Sequence, residues 1–141
     1  DPSCYEDGRV RYDRLARTGA FRSGVKRLFT GLQTYRIALL CAEKDPITCH
    51  RMILICRVLR TESLDIVHIL EDGSTETLHA SEMRLIQALK MPQLRLFESV
   101  DDLILRAYDA QARRIAHVRD DADHEDHETP PGTLEGEGEE P

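Results

Sequence analysis

A strand-like apolar run followed at once by a polar loop and a second apolar run constrains this chain more than any other feature. Residues 37–41 form the first run, and residues 52–59 form the second. The first is uninterrupted, as expected of a strand covered on both faces, and the second follows helical spacing. The loop that joins them reads Cys41-Ala-Glu-Lys-Asp-Pro-Ile-Thr-Cys-His-Arg51. This pattern predicts a strand-to-helix connection in an α/β domain.

Asp45 and Pro46 indicate where the helix begins. Aspartate is a favoured N-cap residue, and proline is favoured at the first helical position. Cys49, His50 and Arg51 are then expected at the end of the first helical turn. The loop therefore gathers a thiol, an imidazole and a guanidinium at one helix terminus.

A second strand is predicted over residues 64–70, ahead of a turn at residues 71–74. A strand, a helix and a strand of these lengths predict a right-handed βαβ unit with parallel strands. The carboxyl ends of both strands then open on one edge of the sheet, which is where ligands bind in open α/β folds. Cys41 ends the first strand, and Asp72 follows the second.

Helical spacing recurs over residues 21–34, 81–90 and 100–119. The predicted fold class is an α/β three-layer sandwich with a parallel sheet, spanning residues 1–118. Because the chain opens on Asp1 with neither an initiator Met nor an opening strand, we expect it to be the C-terminal part of a larger domain, truncated at its N-terminus. A sheet edge left open in this way makes a homodimer one option.

Charge divides the chain, whose net charge is -7. Ten acidic residues and no Lys or Arg follow from Asp120 onward, so residues 1–119 carry +3. Residues 119–141 are predicted to be an acidic disordered tail. The sequence has no membrane-length apolar stretch and no signal-peptide pattern. Its four cysteines are irregularly spaced, which favours free thiols in a cytoplasmic protein.

Cys49 is the first candidate for chemistry. A thiolate near a helix N-terminus, beside His50 and Arg51, is expected to have a lowered pKa. It could act as a nucleophile with His50 or His68 as its proton partner. The alternative is a small buried hydrophobe, the usual state of a free cysteine. Cys41 is the second candidate thiol.

Anion binding is the second chemistry that the loop suggests. Arg51 and Lys44 flank the predicted helix N-terminus, where backbone N–H groups attract anions, and a guanidinium can hold a phosphate by two hydrogen bonds. Neither cysteine has the spacing from Arg51 of a tyrosine-phosphatase cradle, which argues against that reaction. The other candidate ligand-binding residues are Glu43, Asp45, His68 and Asp72.

A metal centre and a nucleic-acid surface are the alternatives. The metal donors would be Cys41, Cys49 and His50, completed by Asp45, His68 or Asp72. Zinc sites usually show closer cysteine pairs, so we predict no metal and no cofactor, and a small metal-binding domain is the third interpretation. Eight basic residues and one acid between Arg9 and Arg36 could contact nucleic-acid phosphates or form a solvated helix face. The second interpretation is therefore a non-catalytic nucleic-acid-binding or DNA-repair-associated module.

Three segments together resemble the domain of unknown function 488 family of bacterial cytosolic proteins. They are Ile37-Ala-Leu-Leu-Cys-Ala-Glu-Lys-Asp-Pro-x-x-Cys-His-Arg51, Val67-His-Ile-Leu-Glu-Asp-Gly73, and the upstream Val10-Arg-Tyr with Phe21, Gly24 and Arg27-Leu28. The resemblance covers roughly residues 1–90. Family members typically begin with strands that are lacking here, so it implies a truncated domain. It supports the same site residues and implies no established activity.

The leading interpretation is a pocket at the strand-to-helix loop that binds a phosphate-bearing ligand, either a nucleotide or a nucleic-acid end. Arg51 and the helix N-terminus would hold the anion, Cys49 or Cys41 would act as a thiolate, and a histidine would move protons. Whether the protein is an enzyme stays open, and no membrane partner is expected.

Overall fold

The computed structural model describes residues 1–91 and 98–119. The α-helices are Tyr12–Leu15 (α1), Gly19–Leu32 (α2), Arg57–Leu59 (α3), Leu78–Ala88 (α4) and Val100–Ile115 (α5). The strands are Tyr5–Glu6 (β1), Arg9–Val10 (β2), Val67–Ile69 (β3) and Thr75–Thr77 (β4). Short 3-10 helices cover Pro2–Cys4 and Pro46–Thr48, and a π-helical turn, Arg51–Cys56, runs directly into α3. The predicted acidic tail lies outside the described residues, apart from Arg119.

The long helices begin at side-chain caps that their sequences supply. The Ser99 and Asp102 side chains form a reciprocal capping box at the start of α5. Thr77 caps α4 by accepting from the N–H of Ala80, so this helix begins earlier than helical spacing indicated. Thr18 caps α2 in the same way. None of the helices in the described part of the chain is long and apolar enough to cross a bilayer.

One apolar core lies where the π-helical turn, α4 and α5 meet. Its large, almost fully buried side chains are Met52, Ile53, Leu85, Ile104 and Tyr108. They come from three separate segments of the sequence, so burial of these side chains fixes how the segments pack. Because the π-helical turn belongs to this core, the loop that precedes it is held against a rigid support.

The prediction of a mixed α/β fold is confirmed, but the described strands do not form the predicted parallel sheet. β1 pairs with β2 and β3 pairs with β4, and both pairs are antiparallel. β3 and β4 are joined by a tight turn in which Gly73 has a φ of +81°, a conformation that favours glycine. A local hairpin partner therefore replaces the parallel partner that the sequence suggested.

The predicted first strand, residues 37–41, is not paired in the described part of the chain. No backbone hydrogen bond joins it to another described residue, and the Leu40 side chain is 95% exposed. It rests on α2 through Ile37, whose Cδ1 lies 2.9 Å from where a Cβ on Gly31 would be. An extended segment without a neighbouring strand is not a β-strand, so a three-layer sandwich is not formed by these residues.

Candidate functional site

The loop between residues 41 and 51 is built from two short helical pieces rather than one helix. Asp45 does act as an N-cap, since its Oδ1 accepts from the N–H of Ile47 at 3.1 Å. The 3-10 helix that follows ends at Cys49, which has extended backbone angles (φ -114°, ψ 143°). The prediction that Cys49, His50 and Arg51 share the first turn of one helix is therefore wrong, because helical geometry restarts only after Cys49.

Extended backbone at Cys49 brings its sulfur back toward the start of the loop. The Sγ atoms of Cys41 and Cys49 and a carboxylate oxygen of Glu43 all lie within 4.8 Å of one another. The Cys41 thiol donates to Oε2 of Glu43 at 2.6 Å, and Nδ1 of His50 lies 3.9 Å from the same oxygen. These four side chains form a group that we call the thiol cluster. It could hold a metal ion or place a carboxylate beside an accessible thiol.

Arg51 forms hydrogen bonds to two residues of the thiol cluster, Cys49 and Glu43. Its Nε donates to Sγ of Cys49 at 3.2 Å, and its backbone N–H donates to the same sulfur at 3.3 Å. Its Nη2 also donates to the backbone oxygen of Glu43 at 3.3 Å. A guanidinium in this position compensates negative charge on Cys49 and fixes the loop conformation.

The two thiols differ in their fitness for nucleophilic chemistry. Cys49 has no exposed surface, and its pKa is raised, first by burial and then by the neighbouring Cys41, with Arg51 opposing the rise. The expectation of a lowered pKa at Cys49 is therefore wrong in direction, because burial outweighs the guanidinium. Cys41 is partly exposed, and its hydrogen bond lowers the pKa of Glu43, which keeps that carboxylate ionised. Cys41 is thus the accessible thiol of the pair.

A pocket of about 470 Å³ opens beside the thiol cluster, and we call it the central pocket. It lies between α2, the extended residues 37–39, the π-helical turn and residues 64–69. Arg51 and His68 both line it, among the apolar side chains of Leu28, Leu32 and Ile66.

His68 is the buried polar residue of this pocket. Its side chain is almost fully covered, and its Nε2 has no hydrogen-bond partner within the residues described. Burial lowers the pKa of His68, and the positive charge of Arg51 lowers it further. The ring is therefore neutral at pH 7, with one nitrogen left to meet a ligand.

Three of the predicted ligand-binding residues are engaged elsewhere. Both oxygens of Asp45 accept from Arg84, which also donates to both oxygens of Glu76. Lys44 forms an ion pair with Glu71 at the surface. Asp72 accepts from the N–H and the hydroxyl of Ser74 within its turn, at 2.9 and 2.6 Å. None of the three lines the central pocket.

Tyr12 is a neighbour of the site that was not among the predicted site residues. Its side chain is buried, and its hydroxyl has no hydrogen-bond partner among residues 1–91 and 98–119. Burial raises the pKa of Tyr12 to about 12, and the charges of Glu43, Cys41 and Cys49 contribute to the rise. Its ring also lies 5.7 Å from that of His50. The hydroxyl is thus close to the thiol cluster, although 29 positions separate Tyr12 from Cys41 in sequence.

The basic stretch divides into two parts. Arg11 and Arg14 pair with Glu6, and Arg11 also pairs with Asp13. On α2, the side chains of Arg22, Lys26 and Arg27 are exposed, and no ion pair joins them to another described residue. The second part presents positive charge that no described residue neutralises.

Comparison with known proteins finds a family match over the site region. The family model for the domain of unknown function DUF488 matches residues 1–58, a range that contains the whole thiol cluster and Arg51. No curated protein and no solved structure matches the chain. The resemblance noted in the sequence is confirmed over residues 1–58, where the chain matches the DUF488 family model.

Proposed function

We propose that this protein binds a phosphate-bearing ligand, a nucleotide or a nucleic-acid end, in the central pocket. The observation that carries the proposal is that Arg51 and His68 line one cavity, and that Nε2 of His68 is buried with no partner among the described residues. A guanidinium supplies charge and several donors for phosphate oxygens, and a neutral imidazole supplies one more N–H. No reaction is needed for this arrangement to bind an anion.

Arg51 keeps donors available after it has fixed the loop. Its Nε and Nη2 are used within the protein, whereas no described residue accepts from Nη1. A guanidinium that is held by part of its donors is pre-organised, which reduces the entropy lost on binding. An incoming phosphate would meet a charged group already in position.

The walls of the central pocket suit the apolar remainder of such a ligand. Small-molecule sites are typically clefts of about 300–1,000 Å³ with mostly apolar walls and few polar groups. The central pocket falls in this range and has mostly apolar walls from α2 and from residues 64–69, with Arg51, Asp65 and His68 as its charged and polar lining residues. A nucleobase or sugar could pack there while its phosphate meets Arg51.

Thiolate chemistry is better supported at Cys41 than at Cys49. Cys41 is partly exposed and donates its hydrogen bond to Glu43 at 2.6 Å, whereas Cys49 is sealed from solvent. Neither sulfur lines the central pocket. We therefore propose binding as the function of the pocket, with any covalent step confined to Cys41.

Calorimetric titration of the full chain with adenosine 5′-monophosphate, inorganic phosphate and adenosine tests the binding proposal. We expect the nucleotide to bind, and Arg51→Gln to weaken binding by about tenfold or more, since hydrogen bonds to charged groups contribute about 1.5–3 kcal/mol. Arg22→Gln, at an exposed arginine of α2, is the matched control and should leave affinity unchanged. Equal binding of adenosine and its monophosphate, or equal loss in both variants, would contradict the proposal.

A nucleic-acid interaction led by α2 is the second candidate function. It is favoured by the exposed, unpaired cations Arg22, Lys26 and Arg27 on that helix. A triple substitution of these residues to Gln should abolish salt-dependent binding of a short single-stranded DNA, while Arg51→Gln should abolish only a preference for a 5′-phosphorylated end. Binding that survives the triple substitution would remove this candidate.

The parallel sheet and the homodimer remain proposals that the extended residues 37–41 support. The apolar side chains of Ile37, Leu39 and Leu40 are exposed on this unpaired segment. Such an edge can pair with a strand of a larger α/β domain or with a second copy. Light scattering of the chain and of Leu40→Glu tests the second option, which requires a dimer that the substitution dissociates. Cytoplasmic location and bacterial origin stay predictions from the resemblance.

A further inference from the structure

The thiol cluster contains four potential metal donors of different chemistry. Two sulfurs and one carboxylate oxygen lie within 4.8 Å of one another, and the imidazole of His50 lies 3.9 Å from that carboxylate. Mixed sulfur, nitrogen and oxygen ligands are typical of zinc, which accepts all three in four-coordinate sites. We propose that Cys41, Glu43, Cys49 and His50 bind one zinc ion.

The spacing of these donors is compatible with tetrahedral coordination after small side-chain movements. Zinc–sulfur bonds of about 2.3 Å place two sulfur ligands about 3.8 Å apart in a regular tetrahedron. The three donors within 4.8 Å need to shift by only an ångström or so, which rotation about side-chain bonds can supply. His50 and Glu43 are both partly exposed, so they are free to turn toward the ion.

Charge within the cluster balances when zinc is bound. Each thiol releases its proton on binding, which leaves two thiolates and the Glu43 carboxylate against the two positive charges of zinc. The remaining negative charge is met by Arg51, which already donates twice to the sulfur of Cys49. Hydrogen bonds of this kind orient a ligand and stabilise its charged form. The positive charges of zinc and Arg51 therefore offset the free energy that it costs to form a thiolate at the buried Cys49.

A second, independent observation, at Tyr12, indicates that the thiol cluster binds a ligand. The Tyr12 hydroxyl is buried without a partner among the described residues, and leaving a buried hydroxyl without a hydrogen bond destabilises a fold. Glu43, Cys41 and Cys49 lie close enough to act on this hydroxyl electrostatically. Once zinc draws Glu43 and the sulfurs together, this hydroxyl can donate to one of them. Tyr12 would then be a positioning residue behind the metal ligands.

In the sequence, the two cysteines are farther apart than in most zinc sites, which argued against a metal. The fold nevertheless brings their sulfurs together. Seven residues separate Cys41 from Cys49. The extended backbone at Cys49 returns its sulfur to the start of the loop, and Glu43 adds a donor that the sequence-based set did not contain. The site requires no ligand in the central pocket, so either proposal can fail while the other holds.

Elemental analysis and cobalt substitution of the full, reduced chain test the zinc site. We expect one zinc per chain after dialysis and, with Co²⁺, a thiolate-to-metal absorption band and the visible spectrum of a tetrahedral ion. Cys41→Ser and Glu43→Gln should each weaken binding at least tenfold. Cys4→Ser, at a buried cysteine outside the cluster, is the matched control and should retain the ion.

Two further experiments test whether the tail histidines bind the zinc instead, and whether Cys41 is a ligand in the unaltered chain. His124→Ala/His127→Ala removes the histidines of the acidic tail, and the proposal requires that this double variant still binds one ion. Alkylation of the unaltered chain followed by peptide mass spectrometry should show Cys41 protected by zinc and exposed by a chelator, which needs no variant to fold. Substoichiometric zinc, zinc lost with the tail histidines, or Cys41 alkylated equally in both conditions would overturn the site.

Discussion

Buried polar groups differ in their hydrogen bonding between the helical side of this protein, around α4 and α5, and the loop side, around the thiol cluster and the central pocket. Between α4 and α5, the buried carboxylate of Glu82 accepts from Arg60 at 2.9 Å and from the hydroxyl of Tyr108 at 3.1 Å. On the loop side, the Tyr12 hydroxyl and Nε2 of His68 are equally buried and have no partner in the described part of the chain. On the helical side these buried polar groups have hydrogen-bond partners, whereas on the loop side two buried polar atoms have none among the described residues.

The difference separates structural polar groups from groups that are available to a ligand. Folded proteins pair nearly all their buried donors and acceptors, so each exception needs an explanation. The two exceptions here flank the thiol cluster and the central pocket, and no exception lies in the α4–α5 layer described. The predictions below test whether this contrast holds, beginning with the strongest effect.

The Glu82→Ala substitution should destabilise the fold most. It leaves the guanidinium of Arg60, whose side chain is only 10% exposed, without its buried partner. Breaking a buried ion pair in this way costs about 3–5 kcal/mol. Urea denaturation measures the loss of unfolding free energy. Glu62→Ala, at an exposed glutamate, is the control and should change it little; equal effects would show that the network is not structural.

The two buried tyrosines allow a matched comparison with a smaller effect. Tyr108→Phe removes a hydrogen bond to Glu82 and should cost about 1–2 kcal/mol. Tyr12→Phe removes a hydroxyl that has no described partner, so metal-free protein should be unchanged or slightly more stable. Urea denaturation in the presence of a chelator and then of zinc checks both. If Tyr12→Phe destabilises the protein in the presence of a chelator, the Tyr12 hydroxyl has a partner without metal, and the two sides do not differ in this respect.

A smaller, pH-dependent effect is expected at His68. The pKa of His68 is lowered by burial and by the cations Arg51 and Arg84, against the opposing carboxylates Glu76 and Asp45. The unfolded chain therefore binds a proton at a higher pH than the folded chain, and stability falls as the pH drops below about 6.5.

Thermal unfolding between pH 7.5 and 5 measures this effect. His68→Gln should flatten the acid-side loss of stability, because no imidazole remains to be protonated at that position. His117→Gln, at an exposed histidine, should retain the slope of the unaltered chain. An unchanged slope in His68→Gln would show that His68 is not the buried titrating group.

Local sequence was sufficient to predict the parts of the site that lie next to one another in the chain. Apolar spacing and the Asp45-Pro46 pair predicted a helical start, and Asp45 does cap it. The same reasoning grouped Cys41, Cys49 and Arg51 in one loop, and their side chains do meet. These features follow from propensities that act over a few residues.

Features that depend on packing could not be predicted in the same way. Extended backbone at Cys49 divides the expected helix, and burial of this residue reverses the expected direction of its pKa shift. Tyr12 reaches the site from α1 only because the fold brings that helix to the loop. The described strands pair differently from the prediction for a related reason, since a tight turn at Gly73 gives β3 an antiparallel partner closer in sequence. In each case, tertiary contacts outweighed a local preference.

The smallest effect should come from Lys44, which the sequence suggested as an anion ligand. Its ammonium group pairs with Glu71 at the surface, where both side chains are mostly exposed, and such pairs contribute about 0–1 kcal/mol. Lys44→Ala should therefore leave the unfolding free energy nearly unchanged, and calorimetric affinity for adenosine 5′-monophosphate should change far less than in Arg51→Gln. If the two variants weaken binding equally, the phosphate is held at the exposed start of the loop, and the central pocket is not its site.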